Sequence, residues 1–165
     1  AEEVKVKTEY EKASLVWTGD MAPDFTLSDV NGKNVSLKAL RGKVVMINFF
    51  ATWCGGCRQE MPHLQKLWVK NRDNKNFVLL VVGREETKES LIKFMKENKY
   101  TLPMLPDPKR TTYSRYAKKF VPRTYIIAPD GKIAFGIVGF DKTKFTNLEK
   151  EMVKQLKALE PAKPQ

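Results

Sequence analysis

Val44-Val45-Met46-Ile47-Asn48-Phe49-Phe50-Ala51-Thr52-Trp53-Cys54-Gly55-Gly56-Cys57 holds the two features on which the fold turns. Residues 44–50 are a nearly unbroken apolar run, the pattern of a central strand covered on both faces. The last four residues place the chain's two cysteines one helical turn apart. Behind them Cys57, Met61, Leu64 and Trp68 recur at three- and four-residue spacing, which predicts an amphipathic helix. Phe77-Val78-Leu79-Leu80-Val81-Val82 is a second apolar run. Two buried strands joined by a helix read as a right-handed parallel βαβ unit.

Working outward, Phe25–Leu27 and Asn34–Leu37 flank Asn31-Gly32, a turn pair that tolerates positive φ, and so predict a hairpin. Downstream, a helix is expected near 87–98, burying Leu91, Phe94 and Met95, then a loop broken by Pro103, Pro106 and Pro108. Tyr113, Tyr116, Ala117 and Phe120 follow the i, i+3, i+4, i+7 pattern of a further helix. Thr124–Ala128 and Ile133–Val138 read as antiparallel strands around Pro129-Asp130-Gly131. Asp141 is the expected N-cap of a last helix that buries Phe145, Leu148, Met152 and Leu156. The sum is one α/β domain with a mixed sheet and helices on both faces, over residues 19–159. Residues 1–18 read as an N-terminal extension in which Val4 and Val6 suggest a short edge strand, and residues 160–165 as a frayed tail.

Composition narrows the function. The 165 residues contain 30 Lys and Arg against 19 Asp and Glu, a net charge of +11. Such a charge fits either an anionic partner (a membrane surface, nucleic acid or an acidic protein) or a solvated basic surface; the lysines are spread along the chain among acidic residues, which favours the second. No aromatic-and-basic pattern of a nucleic-acid module stands out. No stretch reaches the roughly 18 apolar residues of a membrane span. Two cysteines and one histidine, His63, cannot complete a four-ligand structural zinc site within one chain. A secreted disulfide scaffold would carry more cysteines at wider spacing.

What remains is the chemistry of the pair. Cys54 follows a buried strand and opens a helix, where unpaired N–H groups and the positive end of the helix dipole favour a thiolate over a thiol. A thiolate attacks a disulfide, and a second thiol one turn along can resolve the mixed disulfide. Gly55 and Gly56 leave room for a partner's backbone. An inert disulfide is the alternative, but a bridge over two residues closes a tiny loop and stabilises little.

Trp53-Cys54-Gly55-Gly56-Cys57 after an apolar strand resembles thioredoxin. Gly19-Asp20-Met21-Ala22-Pro23-Asp24-Phe25-Thr26-Leu27 with Gly32-Lys33 resembles the N-terminal hairpin of the TlpA/ResA-type branch, which peroxiredoxins share. Val121-Pro122-Arg123-Thr124-Tyr125 is similar to the family's cis-proline segment, and Asp130-Gly131-Lys132 to the hairpin turn that follows it. The resemblance spans about residues 19–158 and implies a thioredoxin-like three-layer α/β/α fold with an added N-terminal β-hairpin. It implies Cys54 as exposed nucleophile, Cys57 as buried resolving thiol, and a redox-active disulfide between them. Pro122 would be the cis-proline facing the cysteines, Val121 the residue whose backbone pairs with substrate, Trp53 a groove-lining residue, and Pro62 the kink of the active-site helix. Thioredoxin's buried aspartate is replaced here by Asn48, whose amide accepts no proton. TlpA/ResA-type enzymes carry a glutamate just after the second cysteine, and Glu60 occupies that place. It is expected to accept a proton or tune the thiols, against the reading of an exposed helix glutamate. Arg123 would favour the thiolate, bind an acidic partner, or lie solvated at the surface, and His63 reads as a surface residue off the apolar face.

The function so implied is reduction of protein disulfides by a monomer outside a bacterial cytoplasm, periplasmic or membrane-tethered. The implied partners are protein dithiol or disulfide substrates and a membrane or soluble thiol donor; no cofactor or metal is implied. Apocytochromes c are among the substrates of such proteins. A start at Ala1 and the lack of further cysteines are compatible with export. One alternative is a peroxiredoxin-like peroxidase, but that chemistry wants Thr or Ser where this chain has Ala51, with Thr52 one place late. Another is a redox-inactive or metal-carrying thioredoxin-fold binding module.

Overall fold

The computed structural model describes residues 8–162. The edge strand expected at Val4 and Val6 and the last residues of the tail therefore lie outside the described residues. Seven strands and five helices follow in the order α1 (Glu9–Ala13), β1 (Thr26–Ser28), β2 (Asn34–Ser36), β3 (Val44–Phe50), α2 (Gly55–Asn71), β4 (Phe77–Arg84), α3 (Lys88–Asn98), β5 (Met104–Asp107), α4 (Tyr113–Tyr116), β6 (Arg123–Ile127), β7 (Ile133–Val138) and α5 (Lys142–Lys157).

β3 is buried along its whole length, as an apolar run without alternation requires. Its residues divide between two cores. Val44, Met46 and Phe50 face the α2, α3 and α5 side with Met61, Leu64, Leu91 and Leu148. Val45, Ile47 and Phe49 face the side of Phe25, Tyr113 and Tyr116. The sheet runs β5-β4-β3-β6-β7. β3 pairs parallel with β4, which pairs parallel with β5, while β6 and β7 complete an antiparallel half. The mixed three-layer sheet is thus the expected one. β1 and β2 form the separate hairpin. Its loop is held by the Asp29 carboxylate, which accepts from the Asn31 and Lys33 N–H groups, with Gly32 at φ +85°.

Three expectations need correction. The proline-broken stretch is an edge strand, β5: Pro106 lacks an N–H, but an edge strand needs only one bonded side. The helix expected through Phe120 stops after the single turn α4, because its next backbone groups bond the N-terminal segment instead: Leu15 N–H donates to Tyr116 O and Lys118 N–H to Ala13 O. In α2, Leu67 and not Trp68 takes the buried position, and Trp68 lies half-buried at the core margin.

The remaining helices end where their side chains dictate. Thr87 and Ser90 form a capping box at α3. Asp141 accepts from the Lys144 N–H at 2.7 Å, the expected cap of α5. No helix among the described residues is long and apolar enough to cross a membrane.

Candidate active site

β3 delivers Cys54 to the start of α2 as its N-cap. Both cysteines are free thiols. The Cys54 sulfur accepts the Cys57 N–H at 3.2 Å, one of the orphan donors of the first turn. Its own S–H donates to the Val121 carbonyl at 3.5 Å. Val121 and Pro122 are joined by a cis peptide, as the resemblance implies, and Pro122 packs opposite Gly56: a Cβ there would lie 3.5 Å from the proline ring. Among the described residues nothing lies within 4 Å of the corresponding position on Gly55. Trp53, next to Cys54 in the chain, is 71% exposed.

Beneath this surface the site is buried. Cys57 is fully buried, and burial pushes its thiol well above the ordinary range, with the hydrogen bond to Cys54 adding to the effect. Glu60, expected on a neighbouring face of the helix, is completely buried. Its Oε1 accepts from the Asn48 amide at 2.5 Å and from the Thr124 hydroxyl at 3.3 Å. Burial raises its carboxyl to about 7, opposed by those two hydrogen bonds, which favour the charged form. Asn48 also donates to Thr124 at 2.9 Å. Asn48 thus stands where a carboxylate would otherwise be and instead tethers one that arrives from the helix. Among the described residues, Glu60 Oε2 and Asn48 Oδ1 have no hydrogen-bond partner. A carboxyl that ionises near pH 7 and is electrostatically coupled to the buried thiol can, as the carboxylate, take a proton from it.

Arg123 is neither solvated nor aimed at the thiols. It is fully buried, with its guanidinium donating to the Lys119 and Phe120 carbonyls and to Ser14 Oγ. It ties the loop before Pro122 to the N-terminal segment. His63 is half-buried, with its ring 5.2 Å from Phe140 and 5.5 Å from Phe145.

One residue was not anticipated. Glu86, buried ahead of α3, accepts from the Thr52 N–H at 3.1 Å and the Thr52 hydroxyl at 3.0 Å, while Arg58 donates to the Thr52 carbonyl at 2.9 Å. The loop that presents Trp53 and Cys54 is gripped from both sides. Its only sequence signal is an acid just ahead of a helix cap, and 34 residues separate it from its partner. Among the described residues no group of three His, Cys, Asp or Glu side chains could hold a metal ion.

A family model described as the AhpC/TSA family matches residues 18–135. The thiol-disulfide oxidoreductase ResA of Bacillus subtilis is 33% identical over 121 residues, 73% of this chain and 67% of its own. That of Geobacillus thermodenitrificans is 32% identical over 155 residues, 94% and 83% of the two chains. Among solved structures, a Bacteroides thetaiotaomicron protein provisionally named a protein disulfide isomerase superposes with a TM-score of 0.84 at 38% identity, covering 88% of this chain and 93% of the other. The thioredoxin domain of a Bacteroides vulgatus thiol-disulfide oxidoreductase gives 0.71 at 26% identity, covering 83% and 99%.

Proposed function

Because the chain belongs to the AhpC/TSA family and is a thiol–disulfide oxidoreductase of the TlpA/ResA type, we propose that it reduces specific protein disulfides outside the cytoplasm, apocytochromes c among them. In this reading the Cys54 thiolate attacks a partner's disulfide. A Cys54–partner bond forms, and the partner's other sulfur leaves as a thiolate that takes up a proton from water. Cys57 then gives its proton to the Glu60 carboxylate and attacks the Cys54 sulfur, which breaks the Cys54–partner bond and releases the partner's second sulfur as a thiolate that is protonated from water. The products are the Cys54–Cys57 disulfide and a reduced partner. A membrane or soluble thiol donor returns two electrons. Val121 offers its backbone to the incoming strand, Pro122 closes the groove against Gly56, and Trp53 covers its edge.

The observation that carries this reading is the burial of Glu60 beside Cys57. A thiol held far from ionising needs a base at the moment of resolution, and a carboxyl raised to about 7 is poised to be one. Relatives named thiol-disulfide oxidoreductases support the same chemistry.

The test is a Cys57→Ser variant, expressed with an export signal in a bacterium that carries this gene. It should accumulate mixed disulfides through Cys54 with exported cysteine-bearing proteins, and Cys54→Ser should trap none. Equal capture by both variants, or capture of cytoplasmic proteins alone, would refute the reading. Rapid consumption of hydrogen peroxide by the wild type would favour the peroxidase alternative.

A further inference from the structure

Arg84 closes β4 at the end of the sheet where Cys54 stands, one residue beyond Gly83, which pairs with Phe50. It is 8% exposed. Its buried Nε has no hydrogen-bond partner, and none of its nitrogens joins an ion pair among the described residues. The guanidinium lies over the Tyr113 ring at 4.9 Å from the centroid. A ring face attracts the charge but accepts none of the in-plane N–H groups. A buried donor without an acceptor is costly, and such a group calls for an explanation.

The neighbours are already committed. Asp107 pairs with Arg84 in register, but its carboxylate accepts from the Thr112 and Tyr113 N–H groups at 3.2 and 2.8 Å. Arg110 lies against the same ring, 5.2 Å from its centroid, and is engaged by Glu85 at 2.9 Å and by the Lys118 carbonyl. Arg84 alone of this cluster is a cation without an anion. The ring beneath it is linked to the cysteines through the segment before Pro122: the Tyr113 hydroxyl donates to Phe120 O at 2.6 Å, Phe120 precedes Val121, and the Val121 carbonyl receives the Cys54 thiol.

We propose that Arg84 anchors an acidic side chain of the disulfide-bearing polypeptide, so that a partner is read by a carboxylate beside its cysteine as well as by its disulfide. A planar guanidinium suits a carboxylate through two parallel hydrogen bonds. The chain's charge of +11 draws acidic partners toward it. The proposal rests on Cys54 acting as the nucleophile.

The experiment uses cyclic disulfide peptides, acetylated and amidated at their ends, that differ only by Asp or Asn at each of four positions flanking one cysteine. Their reduction by the reduced wild-type protein is followed as kcat/KM. At one position or more the Asp peptide should be favoured about tenfold, the usual scale for a hydrogen bond to a charged group. The preference should shrink as salt is raised. Arg84→Gln should bring the ratio close to one, and Arg84→Lys should keep part of it. If Arg84→Gln fails to fold, Arg84→Lys and the salt series on the wild type decide the matter. A wild-type ratio near one at every position overturns the proposal, as does an unchanged ratio in Arg84→Gln. Absence of exchange with any peptide would instead refute the oxidoreductase reading, and this anchor with it.

Discussion

Glu60 is the residue at which sequence and structure combine most closely. Its place three residues past Cys57 marks it by resemblance, and the structure buries it completely and tethers it to Asn48, the setting the proposed base requires. If it takes the Cys57 proton, the resolution step should accelerate as pH rises through about 7, where the carboxyl ionises. In Glu60→Gln that inflection should vanish and resolution should slow by about 10²-fold, the lower end for general-base catalysis. Rapid-quench measurement of mixed-disulfide decay would read both effects. An unchanged profile would remove Glu60 from the mechanism. Arg123 teaches the opposite lesson. An arginine following the proline segment invites an electrostatic role, yet its donors are consumed by Lys119, Phe120 and Ser14, residues whose proximity no local pattern announces.

At the level of elements, the junction of β4 and α3 supports the active-site loop from a distance. Glu86 reaches Thr52 from there, and Ser90 of the α3 cap donates to the same carboxylate at 3.1 Å. Gly83 makes the approach possible: a Cβ on it would fall 2.8 Å from Leu91 Cδ2 and 2.9 Å from Glu86 Cβ. Gly83→Ala should therefore destabilise the protein by about 1–3 kcal/mol, the range for overpacking. It should also speed amide exchange in residues 51–54. Denaturant midpoints and hydrogen-exchange mass spectrometry would check the two together; a neutral substitution would show that the junction yields freely. β5 and α4 depart from their local sequence patterns at this same scale. A strand holding Pro106 and a helix cut to one turn are both products of neighbours: β4 on one side of β5, and residues 13–15 against 116–118.

For the whole molecule, burial of Glu60 ties stability to pH. Its folded pKa of about 7 lies above the ordinary 4.5, so the unfolded chain loses this proton first. Stability from this group is fully present below about pH 4.5, declines as pH rises, and levels off above about 7, a loss of about 3 kcal/mol. Urea unfolding of the reduced protein at several pH values should show that decline, and Glu60→Gln should flatten it; equal slopes in both proteins would contradict the burial. The sheet that imposes this burial was legible in advance, because an apolar run without alternation can only be covered on both faces. So were the cysteine pair at a helix tip and the Asp141 cap, since each depends on residues a few positions apart. The sequence alone thus determined the central βαβ unit, the position of the cysteine pair and the class of chemistry. Only the tertiary structure decided that Glu60 is buried, that Glu86 grips Thr52, that Arg123 is structural and that Arg84 has no anion among the described residues. Those outcomes depend on desolvation and on contacts between residues distant in the chain, and neither is encoded in local periodicity.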